Sequence, residues 1–492
     1  MADTISVPGY SSDNLVPGFY FALDASKANT ATVRRRVLVI GQMLDTALGK
    51  PDIAVECAGV TSAQGIYGMG SQIAIMVEAY RKIDPNGELW ILPLSDPKTS
   101  KATGSLQLGG TATQSGKISF YIGDQLIEQF VSSGDSAAII AKAISDRINA
   151  VATVPVQASV KDSLVNITAK NAGQCGNDIA LKLNLLGDIA GQILPTGITA
   201  TINPMQNGVG VPPTLSSSLA GLGQRQFDLF IHPYADLQSL SIFSDLLNDQ
   251  SGRWQTMDML YGHSITAMAG TYGQVTALAD RLNDQHMTLM ASSDSPTHPM
   301  IWAAQVGAHV AVSMRNNPAV PITGLILNVM PPSDLGCFTL VQRNSLLYDG
   351  VSTFIVNDNN DVAIERLVTT YKRNAYGNDD NSYRNIETVL TAALSIQDMK
   401  QYLASQFPRC VLLRDGSKIS AGQQATTAEL IGKTCIARYR TQAGWLWVQD
   451  TDGFSKELKA EYAGNGTVKL LMPYRFSDQL FIIAGNCQFI KG

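Results

Sequence analysis

The sequence predicts an α/β core domain split in sequence, an inserted β-rich α+β protruding domain, an α+β C-terminal domain and an extended arm at each chain end. Three observations carry this reading. All-apolar runs that suit strands buried on both faces alternate with helical periodicity over 36–94, and again after Arg225. Between these stretches the texture changes to alternating, β-branched runs separated by glycine-rich turns. The two chain ends lack the period of a packed helix: one is turn-rich, and the other is a short run apolar on both faces.

Residues 1–30 hold the turn pairs Pro8-Gly9 and Pro17-Gly18 and the aromatic patch Phe19-Tyr20-Phe21, and read as an extended arm. Val37–Gly41 is a buried strand, Gly70–Lys82 a helix with Ile73, Val77 and Tyr80 on one face, and Leu89–Leu94 the next strand. Strand, helix, strand in that order is a βαβ unit. In the insert, Leu106–Leu108, Lys117–Ile122 and Val154–Val160 read as strands. Asp135 is placed to cap a helix carrying Ile140, Ile144 and Ile148 every fourth residue. The Gly-, Pro-, Ser- and Thr-rich run 189–224 closes the insert as a linker would. The α/β texture then resumes. Phe227–Ile231, Ser264–Met268 and Met287–Ala291 are strands, Asp236–Leu247 and Tyr272–Leu282 helices, and His298–Met314 a buried helix. Beyond 350 a helix centres on 386–403, and a β-rich stretch containing Trp445–Val448 follows. The expected boundaries are an arm at 1–30, a core of 31–98 and 220–345, an insert at 99–205, a linker at 206–219, a C-terminal domain at 346–477 and an arm strand at 478–492.

Composition narrows the function. Charged residues are 16% of the 492-residue chain, against about 25% in an average globular protein. A formal net charge of -5 argues against a general nucleic-acid binder, which needs a basic surface to displace counterions. So little charge on a large chain fits a subunit whose surface is covered by its own copies. The start of the chain shows no positively charged segment followed by an apolar core, and no run is long and apolar enough for a membrane span.

No constellation for chemistry is expected: no catalytic residue, no bound cofactor and no metal. Gly432-Lys433-Thr434 suggests a phosphate-binding loop, but the glycine it requires at 427 is Thr427. His232, His263, His286, His298 and His309 lack metal-ligand spacing and read as packed or hydrogen-bonded. The chain has no GxSxG elbow. Arg34-Arg35-Arg36 reads as a solvated edge or a subunit salt-bridge site, and Asn378–Asn381 as a polar loop without calcium-loop spacing. The cysteines at 57, 175, 337, 410, 435 and 487 form no CxxC pair. Two readings stay open: buried reduced thiols, or bridging between subunits, for which Cys487 near the chain end is the candidate.

Several strings taken in order resemble the tail sheath proteins of Mu-like contractile-tailed bacteriophages. They are Val16-Pro17-Gly18-Phe19-Tyr20, Ala28–Ala31, Arg35–Gly41, Gly134–Ala138, Gly176–Ile179, Gly252-Arg253-Trp254, Tyr261-Gly262-His263 and Gln342-Arg343-Asn344, then Ile364-Glu365-Arg366, Thr369-Thr370-Tyr371 and Pro408-Arg409. The resemblance implies a structural subunit that forms stacked hexameric rings, arranged helically around an inner tail tube protein and bounded by baseplate and tail terminator proteins. It further implies contraction that drives the tube through the host envelope, with assembly in the host bacterial cytoplasm and a final place in the virion. Direct nucleic-acid binding and stable membrane insertion are not implied. A sheath from a phage-derived bacteriocin or secretion apparatus, or another virion tail structural protein, is the alternative.

The resemblance also implies that both arms pair with neighbouring subunits, and the residues fit that role. The expected connecting residues are Val16, Pro17, Phe19, Tyr20 and Phe21 in the first arm, and Leu480, Phe481, Ile482, Ile483, Phe489 and Ile490 in the second. A 30-residue arm at up to about 3.3 Å per residue reaches on the order of 100 Å. An apolar terminal strand left unpaired is an aggregation hazard, so it must pair with its own sheet or a neighbour's.

Overall fold

The computed structural model describes residues 35–420 and 423–490. Strand β1 (Arg36–Gln42) contains Val37, Leu38, Val39 and Ile40, all buried. A strand hidden on both faces needs strand neighbours and helical cover, and the next elements supply them. They are β2 (Val55–Glu56), α1 (Val60–Tyr67), α2 (Gln72–Ile83) and β3 (Glu88–Leu94). Helix α2 is capped by the Ser71 hydroxyl, which accepts from the Ala74 amide, and buries Ile73, Val77 and Tyr80.

The insert comprises β4 (Lys101–Gly110), β5 (Gly116–Ile122), β6 (Gln125–Val131), α3 (Ala137–Ala150), β7 (Val156–Lys161), β8 (Leu164–Ala172), β9 (Leu181–Leu183) and β10 (Ile198–Gln206). Its strands form two sheets, ordered β10-β4-β8-β7 and β6-β5-β9. They close on a core of their own that includes Leu106, Phe120, Ile140, Ile144, Ile148, Val165 and Ile167. The cap of α3 falls one residue later than expected, on Ser136. Asp135 is occupied with the preceding turn, where its carboxylate accepts from the Ser132 amide.

The chain returns to the large sheet through α4 (Leu215–Ala220), β11 (Leu229–Ile231), α5 (Leu237–Leu247), β12 (His263–Ala269), α6 (Tyr272–Ala279) and β13 (Met287–Ser293). It continues with α7 (Pro299–Asn316), β14 (Ile326–Leu327), α8 (Leu340–Tyr348), β15 (Val351–Val356) and β16 (Val362–Arg366). Among the described residues the sheet order is β14-β16-β15-β13-β12-β11-β1-β3-β2. Strands before and after the insert lie side by side, with Val37 paired to Leu229 in parallel register. The sheet does not stop at 345. The antiparallel pair β15 and β16 extends it, because Val351 and Val362 need the same apolar cover as the strands before them. The expected linker at 206–219 also takes in most of α4, which buries Leu215 and Leu219.

Helix α7 crosses the sheet with Trp302 fully buried. At Gly307 a Cβ would stand 2.2 Å from Ile231 Cδ1, so this crossing is close enough to exclude any larger residue without movement. Insert and core meet in a buried polar joint around Asp96. Its carboxylate accepts from Gln42 Nε2 at 2.6 Å, from Asn171 Nδ2 at 2.9 Å and from the Ala172 amide at 2.9 Å.

The last part holds α9 (Ile386–Gln406), the short strands β17 (Val411–Leu412) and β18 (Ala425–Thr426), α10 (Ala428–Gly444), α11 (Thr451–Glu457) and the hairpin β19 (Lys459–Gly464) and β20 (Thr467–Leu471). The β-rich reading of Trp445–Val448 is corrected. The Trp445 amide still bonds the Thr441 carbonyl of α10, Leu446 turns the chain with a φ of 66°, and Val448 alone forms a bridge, to Phe476. Met399, Cys435, Tyr439, Val448 and Phe454 form a small core here.

Candidate subunit-connecting surfaces

Two surfaces stand out by what they leave unpaired. The first is the chain end. Phe476 bridges Val448, and the Ser477 amide donates to the Trp447 carbonyl at 3.1 Å. Phe481 is half-buried beneath the Arg366 guanidinium, 4.2 Å from the ring centroid. Leu480 is exposed, and Ile482, Ile483, Phe489 and Ile490 are 77%, 84%, 91% and 85% exposed. The run expected as a strand is not one within its own subunit. It is an irregular segment, because a strand without a neighbour has nothing to bond its backbone to. Pairing with its own sheet does not occur among the described residues.

The second surface is the β19–β20 hairpin. Its strands pair only with each other among the described residues. Ala460 and Tyr462 on β19, and Val468 and Leu470 on β20, are half-buried, while Lys459, Glu461, Ala463, Thr467, Lys469 and Leu471 are exposed. The sheet thus has one seated face and two open edges. Helix α10 supports it closely: a Cβ on Gly432 would stand 3.2 Å from the Ala460 side chain. Gly432-Lys433-Thr434 therefore lies inside a helix, as packing glycine, ion-pair partner of Glu429, and hydroxyl donor to the Leu430 carbonyl.

Val16, Pro17, Phe19, Tyr20 and Phe21 lie outside the described residues. Arg36 spends its charge within the chain, on Glu88 at 2.7 Å. The histidines are packing groups. His232 shares a hydrogen bond with Ser264 and stacks on Phe243, and His263 bonds Thr288. Burial drives the pKa of each down to about 3, so both are neutral. Cys57, Cys175 and Cys435 are buried, and burial raises each thiol pKa. Cys487 is exposed on the terminal segment.

The strings read from the sequence have structural work to do. Arg343 and Glu365 form an ion pair at 2.9 Å, and Thr353 donates to the same carboxylate. Trp254 Nε1 donates to the Gly262 carbonyl at 2.8 Å. What sequence reasoning missed is the β19–β20 hairpin. Its alternation over 459–471 was a usable signal, but the nearby Trp445–Val448 run drew the β assignment instead. No helix among the described residues is long and apolar enough to cross a membrane.

Residues 208–370 match the phage tail sheath protein central domain. The chain is 34% identical to the Mu-like prophage FluMu tail sheath protein of Haemophilus influenzae, over 99% of this chain and 100% of that protein. The crystal structure of a sheath tail protein from Desulfitobacterium hafniense shares the fold with a TM-score of 0.50 at 13% identity, covering 94% of this chain and 97% of that one. On the strength of the full-length relative, the chain belongs to the phage tail sheath protein family: it is a virion structural protein of the tail sheath, not an enzyme.

Proposed function

We propose that this subunit polymerises as stacked hexameric rings around an inner tail tube, and contracts to drive that tube through the host cell envelope. The observation that carries the reading is an apolar chain end with no strand partner among the described residues, together with a two-stranded sheet whose edges are open among those residues. Each supplies what the other lacks. A two-stranded sheet is marginal in water, and an open edge is a template for another strand. An extended segment added there gains main-chain hydrogen bonds along its length, and its alternate side chains fill pockets.

The contact is heterologous, arm on one copy and hairpin on the next. Repeated, it builds rings or helical arrays in preference to a closed dimer. The first arm, including Val16 to Phe21, makes the corresponding link in the other direction. Partners at the ends of such an array are a baseplate and a tail terminator. The work of contraction comes from subunit contacts that are better in the contracted array than in the extended one.

Negative-stain imaging of the purified full-length protein tests this. Cylinders with sixfold end views support the reading, and persistent monomers at high concentration contradict it. For Cys487, mass spectrometry of non-reduced cylinders decides between a bridge to a neighbouring copy and a free thiol.

A further inference from the structure

We infer that Arg366 is a positioning residue for the C-terminal arm: it clips Phe481 to the body of the subunit, so that the free connector begins at Ile482. This rests on the reading that the arm links subunits. Arg366 is the last residue of β16, at a fixed point of the large sheet. Its Nη2 donates to Asn385 Oδ1 at 2.8 Å, and its guanidinium lies over the Phe481 ring at 4.2 Å from the centroid. Its buried Nε has no hydrogen-bond partner among the described residues, and what faces the arm is the flat cation, which an aromatic face accepts well.

The exposure pattern marks the same point. Asp478 and Leu480 are exposed while Gln479 and Phe481 are half-buried, the alternation of an extended chain lying on a surface. Gln479 sits at 3.3 Å from Asn385 Nδ2 and 3.5 Å from the Ala319 carbonyl, which are weak contacts on the same patch. From Ile482 to Ile490 every residue is exposed, so the alternation ends at Phe481. The clip sets reach. A connector that starts at Ile482 extends to Ile490 over about 30 Å, and one released back to Ser477 over about 43 Å. It also fixes the hinge, since motion between bodies is absorbed after Phe481 and not before it.

Thermolysin, which cuts before Leu, Ile and Phe, reads this on unassembled full-length subunits, with products followed by intact mass. The first cuts are expected within 482–490, with the cut before Leu480 roughly tenfold slower, the scale of one desolvated cation–aromatic contact. F481A changes only the arm and should bring the Leu480 cut up to the Ile482 rate. R366Q should do the same, and R366K, which keeps a cation over the ring, should restore part of the protection. Equal rates at Leu480 and Ile482 in the wild type, or no change in their ratio in F481A, would overturn the clip. Because these readings use single subunits, the clip can fail while the arm still connects copies. Conversely, cylinders formed without the arm would sink the connecting role and leave the clip intact.

Discussion

Val37 to Ile40 and the terminal run that begins at Ile482-Ile483 are both led by aliphatic side chains, yet their fates are opposite. The first run has parallel partners on both sides and is buried on both faces. The second has no strand partner among the described residues and shows most of its apolar surface to solvent. The terminal run also carries Gly485, Asn486 and Gln488, but its Ile482, Ile483 and Ile490 are as apolar as the residues of β1; what they lack among the described residues is a strand neighbour. One run is satisfied by its own chain and secures the fold. On the proposed reading the other is satisfied by a second copy and secures the array. Stability and assembly would then be separated along the sequence, each open to change without the other.

Substitutions inside the core should break the fold and, through it, everything else. Trp302→Ala empties a fully buried site in α7 and is expected to cost about 3–5 kcal/mol in denaturant unfolding. The double change Ile482→Ala and Ile483→Ala should leave subunit stability within about 0.5 kcal/mol of wild type and yet strongly reduce cylinder formation. If the arm variant lost as much stability as the core variant, the separation would be wrong. Gly307→Ala should cost about 1–3 kcal/mol, because the added methyl meets Ile231 across a tight crossing.

Acid sharpens the contrast. His232 and His263 have folded pKa values near 3, below the ordinary histidine value of 6.5. The unfolded chain therefore takes up protons first as pH falls, and stability is lost progressively from about 6.5 toward 3. A thermal-unfolding series from pH 7.5 to 4.5 should show Tm falling below pH 6.5. A flat profile would mean that these rings are not buried as described. The smallest effect concerns the cap of α3. Asp135→Ala should cost about 0.5–1.5 kcal/mol by removing the acceptor for the Ser132 amide. Ser136→Ala should be nearly silent, since the Ser136 side chain makes no cap bond.

Much of the core was legible because its signals are local. Val37–Gly41 and Leu89–Leu94 are apolar runs of strand length, Ser264–Met268 is a mostly apolar one, and α2, α3 and α7 show helical period or predominant apolarity. Where the reading slipped, the deciding contact was distant. Nothing near Val351 or Val362 says that β15 joins β13 and carries β16 into the large sheet, and not into a later domain. Trp445–Val448 has the β-forming composition, but α10 runs into it and turns it over at Leu446. The terminal run was legible as apolar and needing a partner, but the identity of that partner is a property of the assembly. The joint at Asp96 was invisible for the same reason, since Gln42, Asn171 and Ala172 meet it only in three dimensions.

The central claim is that the chain end connects copies while the subunit folds without it. Deleting residues 478–492 tests it most directly, with thermal unfolding and negative-stain imaging on the same preparation. The account predicts a cooperative melt within a few degrees of wild type, the loss of the Gln479 and Phe481 contacts being small, and no cylinders. A truncated chain that still forms normal cylinders, or one that no longer folds, would contradict it.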